Sequence, residues 1–262
     1  MRSFIIRFAV IHLMASLAVI IEGKLLCAQV NTETMRREDM APGLHHRVGA
    51  SLEYHAGNSD FLSVGASYRA DFMTGNLYAF LVASYDRRSS DNELSTNEGF
   101  THLRFTYALD SVFRPEVFAQ KEFNEFILLR DRNLVGGGIR IRPLAIYDSA
   151  ATFTLAVGIG GMYEMEQVAT TPEERTRLFR STNYLSLHGR IGPAFHTTIT
   201  GYYQIAPSRT DDFRVLAEGE MGVRLIDFLS FVVSARYRYD NLPPAGVRNY
   251  DLRLKNGLAV TF

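Results

Sequence analysis

The sequence predicts an all-β protein: a transmembrane antiparallel up-and-down β-barrel of about twelve strands. Three observations lead there. From residue 45 onward, side chains alternate in character with period two over segments of about 11–15 residues, and successive side chains of a strand point to opposite faces. Such segments exceed the roughly 5–6 residues of ordinary strands and reach the roughly 9–11 that cross a bilayer at a tilt. In most segments one face is apolar and the other is charged, polar or small, the pattern of a barrel wall in lipid. Composition does not decide the matter, because 47% apolar residues suit a globular core and a half-polar barrel wall alike.

Residues 1–28 read as a secretory signal peptide. Arg2 and Arg7 precede an apolar run from Phe8 to Ile21, and Ala28 offers a small residue for cleavage. The run is shorter than the roughly 20 residues of a spanning helix. A lipid on Cys27 is the rival reading, and the bulk of Leu26 just before the cysteine speaks against it. Cys27 is the only cysteine. Its removal with the signal would exclude disulfides, zinc–thiolate sites and a cysteine nucleophile together. Without residues 1–28, 25 basic and 27 acidic residues remain, a balance that gives no support to a nucleic-acid partner. Residues 29–44 are polar and read as a short periplasmic segment.

The barrel is read over residues 45–262. Its segments run approximately 45–56, 59–72, 74–86, 98–110, 113–125, 132–143, 150–166, 179–191, 194–206, 212–225, 228–240 and 249–262. The segment at 113–125 is the poorest, because Glu116, Lys121 and Glu122 do not sort by parity. The ambiguity of 113–143 leaves ten or fourteen strands as alternatives. In 150–166, Phe153, Leu155, Val157, Ile159 and Tyr163 oppose Thr152, Thr154, Gly158 and Gly160. In 212–225, Phe213, Val215, Ala217 and Met221 oppose Asp212, Arg214, Glu218 and Glu220. In 228–240, Leu229, Phe231, Val233 and Tyr237 oppose Ser230, Ser234, Arg236 and Arg238. The last segment sets Tyr250, Leu252, Leu254, Leu258, Val260 and Phe262 against Asp251, Arg253 and Lys255.

Connections after odd segments read as long loops, at 87–97, 168–179, 207–212 and 241–249, while those after even segments are tight. Long loops at one end and short turns at the other belong to outer-membrane barrels. Residues 249–262 are expected to pair with the first strand and so remove the sheet's edges.

Arginine on the lipid face costs about 2–4 kcal/mol near the bilayer midplane. Turning the last three segments inside out would expose Glu218, Glu220, Arg236, Arg238, Arg253 and Lys255 to lipid. The summed cost, of order 10 kcal/mol, rivals the stability of a whole domain. These six are therefore the expected lumen-lining charges, and Tyr203, Tyr237, Tyr239, Tyr250 and Phe262 are expected to look outward. Twelve strands give a backbone diameter of roughly 24 Å and, once side chains are added, a gap of at most about 12 Å. A charged constriction for small solutes and a ladder of ion pairs that packs the lumen shut both fit that width.

Three stretches resemble a known family: "GASLEYHAGNSDFLSVGASY", "RPEVFAQKEFNEFILLRDRNLVGGGIRIR" and "RYRYDNLPPAGVRNYDLRLKNGLAVTF". In the last, Asp240, Pro243, Pro244, Gly246, Asp251, Gly257, Leu258 and Phe262 fit the family's ending. The chain thereby resembles, over roughly 45–262, the salt-induced outer-membrane proteins of bacteria, a family without established activity. The resemblance implies a barrel in the outer membrane of a diderm bacterium. Leu258, Val260 and Phe262 also resemble the C-terminal signal read by the barrel-assembly machinery, which with outer-membrane lipid would be a partner.

Other motifs carry little chemistry. Ser186 and His188 share a strand face, but no third residue that would orient the histidine can be named. His45 and His46 are adjacent and point to opposite faces. "GGGIR" (136–140) and "GIGG" (158–161) open no helix, so glycines that let a wall bend are the better reading. The expectation is a monomeric barrel, no enzyme, without cofactor or metal, and serving as a narrow channel for passive passage of small hydrophilic solutes or ions. The alternative is a non-conducting structural or adhesion barrel working through loops 87–97, 168–179 and 241–249, and a third reading, with less behind it, is an envelope lipid hydrolase using Ser186 and His188.

Overall fold

A computed structural model of the protein describes residues 31–37, 40–56, 60–90, 93–226 and 228–260. The predicted signal peptide with Cys27, the Gly57-Asn58 turn and Phe262 lie outside the described residues. Twelve strands follow in order: β1 (Gly43–His55), β2 (Phe61–Thr74), β3 (Leu77–Ser90), β4 (Glu93–Tyr107), β5 (Phe113–Asn124), β6 (Leu129–Tyr147), β7 (Ala151–Val168), β8 (Glu174–Ile191), β9 (Phe195–Ala206), β10 (Arg209–Ile226), β11 (Leu229–Asp240) and β12 (Tyr250–Val260). Each pairs antiparallel with the next, so sheet order is chain order. The up-and-down meander expected from the alternation is therefore the fold.

The ambiguous region resolves into two strands. β5 ends at Asn124, whose side chain accepts the Phe126 N–H at 3.0 Å and caps a single 3-10 turn, Glu125–Ile127. Leu128, left-handed at φ 59°, then turns the chain into β6. Glu116 and Glu122 do sort by parity, since both are buried on the concave face. Lys121 alone points the other way, near the strand's end, where it meets Asp131 of β6 at 2.6 Å.

Facing follows the predicted rule, and it inverts that of a soluble protein. On the convex face Val48 is 76% exposed and Leu254 69%, while on the concave face Arg132 and Arg180 are each 1% exposed. Tyr203, Tyr237 and Tyr250 are exposed on the convex side. The concave side also takes aromatics: Phe80, Phe100 and Phe118 all lie against the His102 ring.

Two expectations are corrected. Most of the predicted long loops are strand. Arg87 pairs with Asn97 and Arg88 with Thr96, and the β7–β8 ladder continues to Val168 opposite Glu174. Polar residues on both faces hide these extensions, because a strand that leaves the apolar belt has no face to keep apolar. Only 241–249 remains a long irregular connection. In addition, β12 shares no ladder with β1 among the described residues. The contacts that curl the sheet explain this, because they come from β2 to β11. Ser84, Glu98 and Glu122 of β3–β5 face Arg236 and Arg238 of β11 across a cavity of about 160 Å³, whereas neither β1 nor β12 buries a side chain among the described residues. Among the described residues, nothing inside draws the two edges together.

Candidate functional site

The concave space is occupied first by the chain itself. Residues 31–37, read from sequence as a periplasmic segment, lie inside the curled sheet, with Asn31, Thr32 and Glu33 buried. Asn31 makes the chain turn there: its side-chain oxygen accepts the Glu33 N–H at 3.0 Å and the Thr34 N–H at 3.4 Å. The Arg36 N–H closes the turn on the Glu33 carbonyl at 3.1 Å. Further on, the Arg37 N–H donates to the Tyr78 hydroxyl at 2.9 Å.

Two tiers of ion pairs cross the lumen. The first surrounds the inserted segment and lies nearer the end that carries Gly43 and Val260. Glu33 takes Arg36 Nε at 2.6 Å and Arg104 Nη1 at 3.5 Å, and is also bound by Arg140. Arg36 continues to Glu116 and, at 2.9 Å, to the Thr106 hydroxyl. Glu116 also receives Arg104 at 3.1 Å and the Tyr184 hydroxyl at 3.2 Å. Burial alone would raise the Glu33 carboxyl, but the guanidiniums of Arg36, Arg140 and Arg104 overcome it and hold the group at about 2. The second tier lies toward the 241–249 loop. Glu164 there is shared by Arg132 at 2.5 Å, Arg180 at 2.8 Å and Arg214 at 3.0 Å. Outer carboxylates complete it: Glu122 on Arg132 at 2.8 Å, Asp212 on Arg180 at 2.7 Å, and Asp240 on Arg214 at 2.8 Å.

Between the tiers, a pocket lined by His102, Gln120, Leu134, Met162, Thr182 and Gln204 holds about 30 Å³, room for a water or two. The bore is thus packed across its middle. Glycine helps to pack it. A side chain at Gly158 would place its Cβ 1.9 Å from the Tyr184 ring, so glycine there lets Tyr184 lie against the wall and reach Glu116.

The predicted lumen charges fall elsewhere. Glu218, Glu220, Arg236, Arg253 and Lys255 line a cavity of about 400 Å³, with His188, Thr198, Ser234 and Thr34. Glu218 and Arg236 are direct partners in the ladder and form an ion pair. Glu220 lies opposite Ser234 and stands 3.9 Å from His196. Arg238 is not in this group: it is buried opposite Leu216 and Asp251. The Ser186 hydroxyl is 3.4 Å from His188 Nε2, whose other nitrogen lies 3.1 Å from the Thr198 hydroxyl. Leu258 is exposed on the convex face and Val260 pairs with Leu229.

Sequence reasoning missed both tiers. Arg132, Glu164 and Arg180 do lie at inward parity, and that signal could have found them. Nothing in the alternation announces that residues 31–37 turn back into the lumen.

A comparison with curated proteins finds no match. Among solved structures, one described as "NanC porin structure in rhombohedral crystal form" is similar, with 9% identity and a TM-score of 0.43. The likeness covers 84% of this chain and 100% of that one. Residues 48–262 match the family model described as "Protein of unknown function, DUF481", and the chain belongs to that family.

Proposed function

We propose that this protein is an outer-membrane barrel with a stoppered bore, passing small hydrophilic solutes or ions only when residues 31–37 leave the lumen. The outward apolar belt and inward charge support the membrane setting. The carrying observation is that Glu33 and Arg36, at the centre of the first tier, belong to a segment outside the wall. The rest of that tier is built into strands and cannot leave. Its contacts with the segment are polar, so water can replace them when the segment withdraws.

Planar-bilayer recordings test the reading. The wild-type protein should show rare, small openings, and Glu33→Ala with Arg36→Ala should show frequent ones. A folded double variant, confirmed by heat-modifiable gel migration, that never opens would remove the channel reading and leave a non-conducting structural barrel. Export by residues 1–28, recognition of Leu258, Val260 and Phe262 by assembly machinery, and a monomeric state belong to the same proposal. The resemblance to salt-induced proteins adds induction by salt, which transcript levels after an osmotic shift would test.

A further inference from the structure

The wall beside the stopper carries charge that the tiers do not neutralise. Two rows run side by side across β8 to β12. In one, Ser186, Thr200, Glu218, Arg236 and Arg253 are successive ladder partners. In the other, His188, Thr198, Glu220, Ser234 and Lys255 are. The two acids thus stand on β10, and the three cations stand on β11 and β12. Arg236 is committed to Glu218. Arg253 lies directly opposite Arg236, and like charges placed opposite each other on adjacent strands repel. Glu220 forms no ion pair with Lys255, which stands two strands away; its nearest cationic group is His196, at 3.9 Å. Across the seam, the inward acid Glu53 of β1 is exposed and sits 3.2 Å from His55. Asp251 shares the face of β12 two positions before Arg253, but among the described residues neither Arg253 nor Lys255 forms an ion pair with a carboxylate, although each arginine of the second tier has at least one.

We propose that the cavity over β10–β12 binds a small oxyanion, a carboxylate or a phosphate, through Arg253 and Lys255. The guanidinium fork suits two oxygens of one such group, and the ammonium takes a further one as a point charge. Ser234, Thr198 and Thr34 supply hydroxyls around it. A space of about 400 Å³ accepts a small ligand with some of its water. Glu218 and Glu220 bound the site on one side and would turn away a ligand with negative charge at both ends. This assignment deepens the channel reading by giving it a solute class. It rests on that reading only in requiring the cavity to be reachable from water.

Equilibrium titration of the folded protein in detergent at low ionic strength tests the site, with inorganic phosphate and acetate as probes. At least one should bind saturably. Arg253→Gln and Lys255→Gln should each weaken binding by about tenfold, as expected for the loss of one charge-assisted hydrogen bond. Lys121→Gln, on the convex face, should leave it unchanged. Phosphate binding without acetate binding would assign the site to phosphates, the reverse to carboxylates, and either result supports it. Absence of saturable binding by both probes, or binding that survives both substitutions, would overturn it. Lys255 is exposed, so Lys255→Gln alone carries the test if Arg253→Gln fails to fold. A barrel that binds phosphate but never conducts would sink the channel reading and leave this site in place.

Discussion

The lumen holds its charges in two settings. In the second tier, one glutamate, Glu164, is within 3.0 Å of three arginines, and those arginines reach further carboxylates on β5, β10 and β11. Over β10–β12, an equally charged stretch of wall leaves Arg253 and Lys255 facing open space. Both regions have the same local pattern, with ionised residues every second position on the concave face. They differ in what lies across from them. The tier is closed because charges from several strands converge on one point. The cavity stays open because β12 is the last strand and no further strand is paired beside it among the described residues. A two-residue period therefore says which way a side chain points and leaves open whether it will meet a partner.

Substitutions can separate the two settings. The largest effect is expected at Glu164. Replacing it with alanine leaves three buried guanidiniums short of their shared carboxylate, and removing one partner from a buried ionic group costs about 3–5 kcal/mol. Urea unfolding followed by gel migration should show it. If Glu164→Ala were as stable as wild type, the tier would not be the closed element described.

Glu33 comes next. Its carboxyl is lowered from 4.5 to about 2, so its contribution is fully present above about pH 4.5 and is lost as pH falls toward 2. Hydrogen-exchange protection of the Glu33 and Arg36 amides should fade across that window in the wild type. In Glu33→Gln, protection should be weak throughout and nearly flat with pH over the same range.

Glu218→Ala should cost less, about 0–1 kcal/mol, because Arg236 is partly exposed and such pairs contribute little. It should also strengthen anion binding in the cavity by removing the charge that competes for Arg236, which titration with phosphate would show. Lys121→Ala on the convex face should change stability by about 0.5 kcal/mol at most. A large loss there would mean that its pair with Asp131 is shielded from solvent.

Much of this was legible in the chain. Twelve segments, their order and their facing follow from period two, because an apolar convex face and a charged concave face impose that period residue by residue. Glu218 opposite Arg236 was also legible, because a tight turn at 226–229 fixes the register of the hairpin. What was not legible depends on distance along the chain. Arg140 meets Glu33, 107 positions away, and no local rule encodes such a meeting. The ends of β3, β4, β7 and β8 were hidden for the opposite reason. Beyond the apolar belt, neither face is constrained, and the sequence there looks like loop.

The inserted segment is joined to β1 by only residues 38–42. Withdrawn from the bore, its near end at Arg37 could travel at most roughly 20 Å from the point where that strand begins, and Glu33 at most roughly 35 Å. A blocker tethered so closely faces its own socket at an effective concentration of order millimolar. A solute or ion of equal intrinsic affinity that competes for the same socket from free solution must approach that level before it wins.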